Sequence, residues 1–120
     1  MKVGIDVLEI ERFIEIEKDE TKLKKMFTKN ELDYFDKYQH KTCHIAGTFC
    51  AKEAFVKAIK TGFSKDVSIL DVEVLHHESG APYINLNNER LNKFISKDTK
   101  IDLSISHSNT ISTAICIISD

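Results

Sequence analysis

Cys43-His44-Ile45-Ala46-Gly47-Thr48-Phe49-Cys50-Ala51-Lys52-Glu53-Ala54-Phe55-Val56-Lys57-Ala58-Ile59-Lys60 is the stretch from which the rest of the 120-residue chain can be read. It contains no proline, and its one glycine is Gly47, so nothing in it interrupts the intrahelical ladder. Thr61-Gly62 supplies the stop. At roughly 100° per residue, Glu53 and Lys57 lie about 40° apart on one stripe, together with Ala46 and Cys50. An apolar arc of Ile45, Phe49, Phe55, Val56 and Ile59 runs beside them. The pattern predicts a long helix over 43–60 that packs by its arc and keeps Glu53 and Lys57 at the margin, with small neighbours leaving that stripe open to a ligand. Spacing alone favours the plainer reading, an ordinary surface Glu-to-Lys pair.

Upstream of this helix, Lys2 to Leu8 alternates with the period of a strand, Val3, Ile5 and Val7 against Gly4, Asp6 and Leu8. From Glu9 the period becomes helical, with Ile10, Phe13 and Ile14 on one side, and helix-favouring charged residues continue through Met26. Thr28 and Glu31 have the spacing of a capping box ahead of a short helix from Lys29 to about Lys37. Downstream, Val67 to His76 reads as a strand, Glu78-Ser79-Gly80 as a turn and Tyr83 to Leu86 as the hairpin partner, entered through Pro82. Asn87 or Asn88 can cap a helix through Phe94. Lys100 to His107 sets Ile101, Leu103 and Ile105 against Asp102, Ser104 and Ser106. Ser108-Asn109 then turns the chain into a last apolar strand, Ile111 to Ile118. This order predicts a single α+β domain over 1–120, a mainly antiparallel sheet packed against one long and several short helices.

Composition narrows the function classes. Lys and Arg number 17 against 19 Asp and Glu, a formal net charge of -2, so nothing draws the whole protein to nucleic acid or to an anionic membrane. Arg12 and Arg90 are the only guanidinium groups, and phosphate recognition must therefore lean on lysines and backbone N–H groups. Asp6 breaks the N-terminal apolar stretch well short of a signal peptide or membrane span, and a cytoplasmic protein is expected. Cys43, Cys50 and Cys116 have no framework spacing and are read as reduced thiols.

A few residues could carry chemistry. Asp6 interrupts a strand of Val, Ile and Leu, where a carboxylate either faces solvent or serves as a ligand. If Asp6 and Glu53 converge, they form the hard oxygen site that Mg²⁺ prefers, completed by waters and substrate phosphates. His107 ends the run Ser104-Ile105-Ser106-His107-Ser108, which can hydrogen-bond phosphate or simply make a polar turn. His40, Cys43 and His44 resemble half a zinc site with no second pair to complete it. His76 and His77 alternate faces. Lys22, Lys24 and Lys25 read as a solvated helix face or a docking patch, and Cys50 as a small buried residue.

Taken in order, these segments resemble the holo-acyl-carrier-protein synthase family of phosphopantetheinyl transferases over nearly the whole chain. Gly4-Ile5-Asp6 with Glu9-Ile10 and Arg12 is similar to the family's G-I-D-x-x-E-I-x-R opening. Phe49-Cys50-Ala51-Lys52-Glu53-Ala54-Phe55-Val56-Lys57-Ala58 resembles its F-x-A-K-E-A-F-x-K-A helix, followed by Thr61-Gly62. Gly80-Ala81-Pro82-Tyr83 stands where the family has G-K-P, and Leu103-Ser104-Ile105-Ser106-His107-Ser108 resembles its V-S-I-S-H-T strand.

The resemblance implies that Asp6 and Glu53 hold Mg²⁺ on the pyrophosphate of coenzyme A. Lys57 would sit at the transferring phosphate, and Thr61, Gly62, Pro82, Ser106 and His107 would belong to the coenzyme A surface. It further implies a homotrimer with active sites between adjacent subunits, and Arg12 facing an acidic acyl carrier protein. The reaction it implies belongs to fatty acid biosynthesis: a carrier-protein serine takes 4′-phosphopantetheine from coenzyme A and adenosine 3′,5′-bisphosphate leaves. The base is left open between Glu53, Lys57 and a water on the metal. Two departures stand out. Thr48 replaces the family's usual Arg and Ala81 its usual Lys, so that Lys52, Lys60 or Lys65 would have to supply the missing charge. A non-catalytic domain that binds coenzyme A or another nucleotide as a regulator is the alternative reading.

Overall fold

Strand β1 (Lys2–Glu9) pairs antiparallel with β5 (Ile111–Ser119), which pairs antiparallel with β4 (Lys100–His107), giving a three-stranded sheet of order β1-β5-β4. Strands β2 (Val72–His76) and β3 (Pro82–Leu86) form a separate two-stranded hairpin. The helices are α1 (Ile14–Glu17), α2 (Glu20–Met26), α3 (Lys29–Phe35) and α4 (Thr42–Ala58), in a computed structural model that describes residues 1–120. The α+β class stands, with its antiparallel pairing divided between two sheets. No helix is long and apolar enough to cross a membrane.

Helix α4 lies across the inner face of the three-stranded sheet, and a glycine on that face lets it come close. A Cβ added at Gly4 would lie 1.9 Å from the Ala54 carbonyl oxygen and 2.6 Å from the Ala58 nitrogen, so any side chain there would drive the helix off the strand. The stripe expected to stay open is closed for the same reason. Ala46, Cys50 and Ala54 are fully buried against β1 and β5, and the Cys50 Sγ reaches the Asp6 and Ser112 carbonyls at 3.3 and 3.7 Å. Burial pushes the Cys50 thiol up to about 12, which keeps it protonated. Small residues on α4 thus serve close helix–sheet packing rather than access.

The two faces of β1 divide against simple hydrophobic expectation. Val3, Ile5 and Val7 are 54%, 62% and 63% exposed, while Gly4, Asp6 and Leu8 face α4. Register places Val3 opposite Ile117 and Ile5 opposite Ile115, so one side of the sheet carries a continuous apolar row open to solvent.

Local signals set several boundaries. Thr28 and Glu31 close the expected capping box at α3, and Asn88 accepts from the Arg90 N–H at the head of a 3₁₀ turn, Glu89–Lys93, that takes the place of the expected helix. The strand expected from Val67 begins only at Val72. Ser68 and Asp71 cap each other's backbone and wind Ile69–Asp71 into a 3₁₀ turn. A 3₁₀ turn at Ile10–Phe13 and the Asp19 cap of α2 likewise break up the helix expected after Glu9. At the end of α4 the left-handed residue is Lys60, φ 67°, followed by Gly62 at φ 60°.

Lys52 is fully buried with Glu31, Nζ to Oε1 2.7 Å, and also donates to the Met26 and Ile69 carbonyls. Glu31 in turn accepts from the Val74 and Thr28 N–H groups at 2.8 Å each. Burial pushes the Glu31 carboxyl up and the Lys52 ammonium down, and their contact opposes both. Lys52 therefore ties α4 to α2, α3 and the Ile69–Asp71 turn and is not free to meet a ligand phosphate.

Candidate active site

Asp6 lies against α4, bonded to Lys57 and within electrostatic reach of Glu53. Alternation turns the Asp6 side chain toward α4, where its carboxylate is 14% exposed and accepts from Lys57 Nζ at 2.9 Å. Lys57 also donates to the Ile5 carbonyl at 3.1 Å, so its half-exposed side chain is drawn back along β1. The Asp6 backbone is held independently, because its carbonyl accepts from the Thr113 hydroxyl at 2.8 Å.

Glu53 stands one helical turn before Lys57. Burial pushes its carboxyl pKa up, the nearby Asp6 carboxylate pushes it further, and the Lys57 and Arg12 cations oppose both. The hydrogen bond to Asp6 holds the Lys57 ammonium above its ordinary range, with burial pulling against it. The cluster is thus two carboxylates close enough to repel, one ammonium bound to Asp6, and the Arg12 guanidinium at its edge. Such oxygens suit a hard divalent cation bound through few protein ligands. No group of three or more His, Cys, Asp and Glu residues is placed to hold an ion, so two carboxylates are what one chain offers.

The remaining expected site residues lie elsewhere on the chain. Pro82 and His107 line a cleft of about 170 Å³ between α4, the β2–β3 hairpin and β4, together with Tyr34, Cys43, His44, Gly47, Thr48, His76, Gly80 and Ile105. Ser106 points to the opposite face of β4 and lines a shallow depression with Ser108, Ile111 and Thr113, which His107 also borders. Thr61 and Gly62 follow the end of α4, about one turn beyond Lys57, where the Thr61 hydroxyl donates to the Gly62 carbonyl at 2.9 Å. Within one chain, therefore, Asp6, Glu53 and Lys57 meet. Pro82 and His107 meet in a second place, while Thr61, Gly62 and Ser106 join neither group.

Sequence reasoning did not gather His44, Tyr34 and His76 into the cleft. One signal was available, since His44 and Thr48 are four apart on α4 and must share a face. The approach of the β2–β3 hairpin that brings in His76 had no local signature.

Residues 2–116 match the sequence profile of the 4′-phosphopantetheinyl transferase superfamily. A holo-(acyl-carrier-protein) synthase of Clostridium tetani is 42% identical over 118 residues, covering 97% of this chain and 93% of that protein. The crystal structure of the Helicobacter pylori holo-(acyl-carrier-protein) synthase in complex with coenzyme A matches with a TM-score of 0.81 at 30% identity, covering 98% of this chain and 99% of that one. The Neisseria meningitidis holo-(acyl-carrier-protein) synthase matches with a TM-score of 0.86 at 25% identity, covering 99% and 98%.

Proposed function

The chain belongs to the 4′-phosphopantetheinyl transferase superfamily and is an enzyme of the holo-(acyl-carrier-protein) synthase kind, and from that premise we propose that it moves 4′-phosphopantetheine from coenzyme A to a serine of apo acyl carrier protein at the Asp6–Glu53–Lys57 cluster, with Mg²⁺, releasing adenosine 3′,5′-bisphosphate. The observation that carries this reading is the Asp6–Lys57 ion pair with the Glu53 carboxyl one helical turn before Lys57 and within electrostatic reach of Asp6.

In this mechanism Asp6 and Glu53 would hold the metal. When bound, Mg²⁺ offsets the charge that grows on the pyrophosphate during transfer. The serine oxygen forms the new P–O bond to the β-phosphate while the bridging P–O bond to the nucleotide breaks. The serine proton passes to Glu53 or to a water beside it, since Lys57 is already protonated. Lys57 already carries its proton, held by Asp6, and acts as a cation that stabilises charge on the transferring phosphoryl group. Arg12, exposed at the edge of the cluster, would face the acidic carrier protein. Incubating the chain with coenzyme A, Mg²⁺ and apo acyl carrier protein is expected to add about 340 Da to the carrier protein, the phosphopantetheine group. Coenzyme A binding without any mass gain would remove the transferase reading and favour a regulatory one.

The site also calls for a second copy. The exposed row of Val3, Ile5, Val7 and Ile115 is the kind of surface a monomer rarely leaves uncovered. We read it as the contact of a homotrimer that brings Thr61, Gly62, Ser106 and the cleft of Pro82 and His107 to the cluster across subunit boundaries. Light scattering is expected to give three times the 13.7 kDa chain mass. The outward-facing Ile5→Lys change should shift the protein toward monomer and reduce transfer in parallel. A wild-type monomer with full activity at micromolar concentration would rule the trimer out.

A further inference from the structure

Lys52 and Glu31 form the one ion pair of the chain in which both side chains are fully buried, and neither belongs to the Asp6–Glu53–Lys57 cluster. Lys52 neighbours Glu53 in sequence but lies about 100° around α4 from it, so its side chain leaves the helix in another direction. The ammonium has acceptors on three segments: the Glu31 carboxylate at 2.7 Å, the Met26 carbonyl at 2.9 Å and the Ile69 carbonyl at 3.1 Å. Apolar residues of similar volume often hold a core as well as a buried ion pair does. What they cannot supply is directed bonds to three chosen acceptors.

Two of the three segments are held without Lys52. The head of α3 is closed by its capping box, and Thr28 and Asn30 both donate to Glu73 of β2. The Ile69–Asp71 turn is capped by Ser68, and Asp71 is held by Arg90 at 3.0 Å and by the Asn87 N–H on its carbonyl at 2.9 Å. Helix α2 has no such support. It is seven residues long, too short to persist alone in water, and none of its residues is buried. Its Asp19 cap and its Glu20–Lys24 pair are local to the helix. The bond from Lys52 to the Met26 carbonyl is the only hydrogen bond between α2 and another element. The same helix turns Lys22 and Lys25 to solvent, where neither pairs with a carboxylate of the chain.

We propose that Lys52 is a positioning residue for carrier-protein recognition: through the Met26 carbonyl it fixes the end of α2, and with it the angle at which Lys22 and Lys25 meet an acidic partner. The assignment rests on the transferase reading above and adds to it a residue that touches neither substrate. Helix α1 packs against both α2 and the Ile10–Phe13 turn that carries Arg12, so the two lysines continue from the edge of the cluster. Helix α4 does not depend on Lys52 for its own place, because Ala46, Cys50 and Ala54 pack directly against β1 and β5 and Gly4 lets them approach. Loss of the Lys52 ammonium therefore leaves Asp6, Glu53 and Lys57 where they are and frees the C-terminal end of α2. Charges already held in place lose less conformational freedom on docking than the same charges on a mobile segment. The loss is read in the KM for carrier protein and not in kcat.

The test compares steady-state transfer by the full-length wild-type chain and by Lys52→Met/Glu31→Gln, with apo acyl carrier protein varied at saturating coenzyme A and Mg²⁺, below the melting transitions of both. Changing the two partners together leaves no unpaired charge in the core, and a glutamine still closes the capping box. The KM for carrier protein is expected to rise about fivefold, with kcat and the KM for coenzyme A within about twofold of wild type. An unchanged KM for carrier protein, or a fall in kcat as large as the rise in KM, overturns the assignment. A second arm separates positioning from general loosening. Lys22→Ala/Lys25→Ala should raise the same KM about fivefold in the wild-type background and less than about twofold in Lys52→Met/Glu31→Gln, where the lysines are already misplaced. Equal effects in the two backgrounds overturn the positioning role. If the core variant does not fold, Lys52→Gln/Glu31→Gln takes its place, because it keeps an amide pair in the core while its side chain stops about one bond short of the Met26 carbonyl. A wild-type chain that adds no mass to the carrier protein defeats the transferase reading itself, whereas transfer with an unmoved KM in the core variant defeats only the role of Lys52.

Discussion

Glu53→Gln is expected to lower kcat for carrier-protein modification by about 10²- to 10⁴-fold while leaving the melting temperature unchanged or slightly higher. The two effects have one cause. Glu53 is half-buried within reach of the Asp6 carboxylate, and both burial and that like charge disfavour its ionised form. A neutral isostere removes the repulsion, so the folded state loses nothing. The amide cannot take the serine proton, and it is a weaker ligand for a hard divalent cation than a carboxylate. Transfer should fall through kcat rather than through the KM for carrier protein, because Glu53 acts on the reacting phosphate and not on the docking surface. Rates read by mass spectrometry at saturating Mg²⁺, beside a thermal melt, check both halves. Normal turnover in the variant would remove Glu53 from the mechanism.

Gly4→Ala should give the largest loss of stability of any single methyl addition in the chain, at least about 3 kcal/mol and on the order of 10 °C in Tm. The obstacle to the new Cβ is backbone, the Ala54 carbonyl at 1.9 Å and the Ala58 nitrogen at 2.6 Å, and no side chain can rotate to make room. Helix α4 must move away from β1, and the same movement parts Lys57 from the Ile5 carbonyl and the Asp6 carboxylate. Activity should therefore fall further than the folded fraction does. Gly47→Ala is the control, because its Cβ would meet only the Ile105 and Ser112 side chains at 3.2 and 3.6 Å. Removing a helix-interior glycine there also recovers up to about 1 kcal/mol of helix propensity, so the net change should be small. Comparable melting temperatures for the two variants would contradict the packing described.

The elements best read from sequence are those whose instructions are local. Thr28 and Glu31 cap each other three residues apart, and β4 and β5 show their alternation within a single strand. The proline-free run of α4 declares a helix to within two residues at either end. Val67 to Asp71 misled because its apolar residues fit a strand, while the Ser68–Asp71 box that winds part of it into a turn is a short polar signal inside an apolar segment. The side of β1 that faces the core was equally illegible. Val3, Ile5 and Val7 look like the inward row, and only the position of α4 shows that the row holding Gly4 and Asp6 is inward.

Residue order alone determined the α+β class, the long helix and the family to which the chain belongs, because capping, periodicity and ordered motifs are properties of neighbours along the chain. The tertiary structure decided that Asp6 meets Glu53 and Lys57, that Lys52 is consumed by Glu31, and that three histidines share one cleft. Those outcomes depend on how closely a helix approaches a sheet and on where a hairpin lands. Both are set by the packing of surfaces far apart in sequence, which no local pattern encodes.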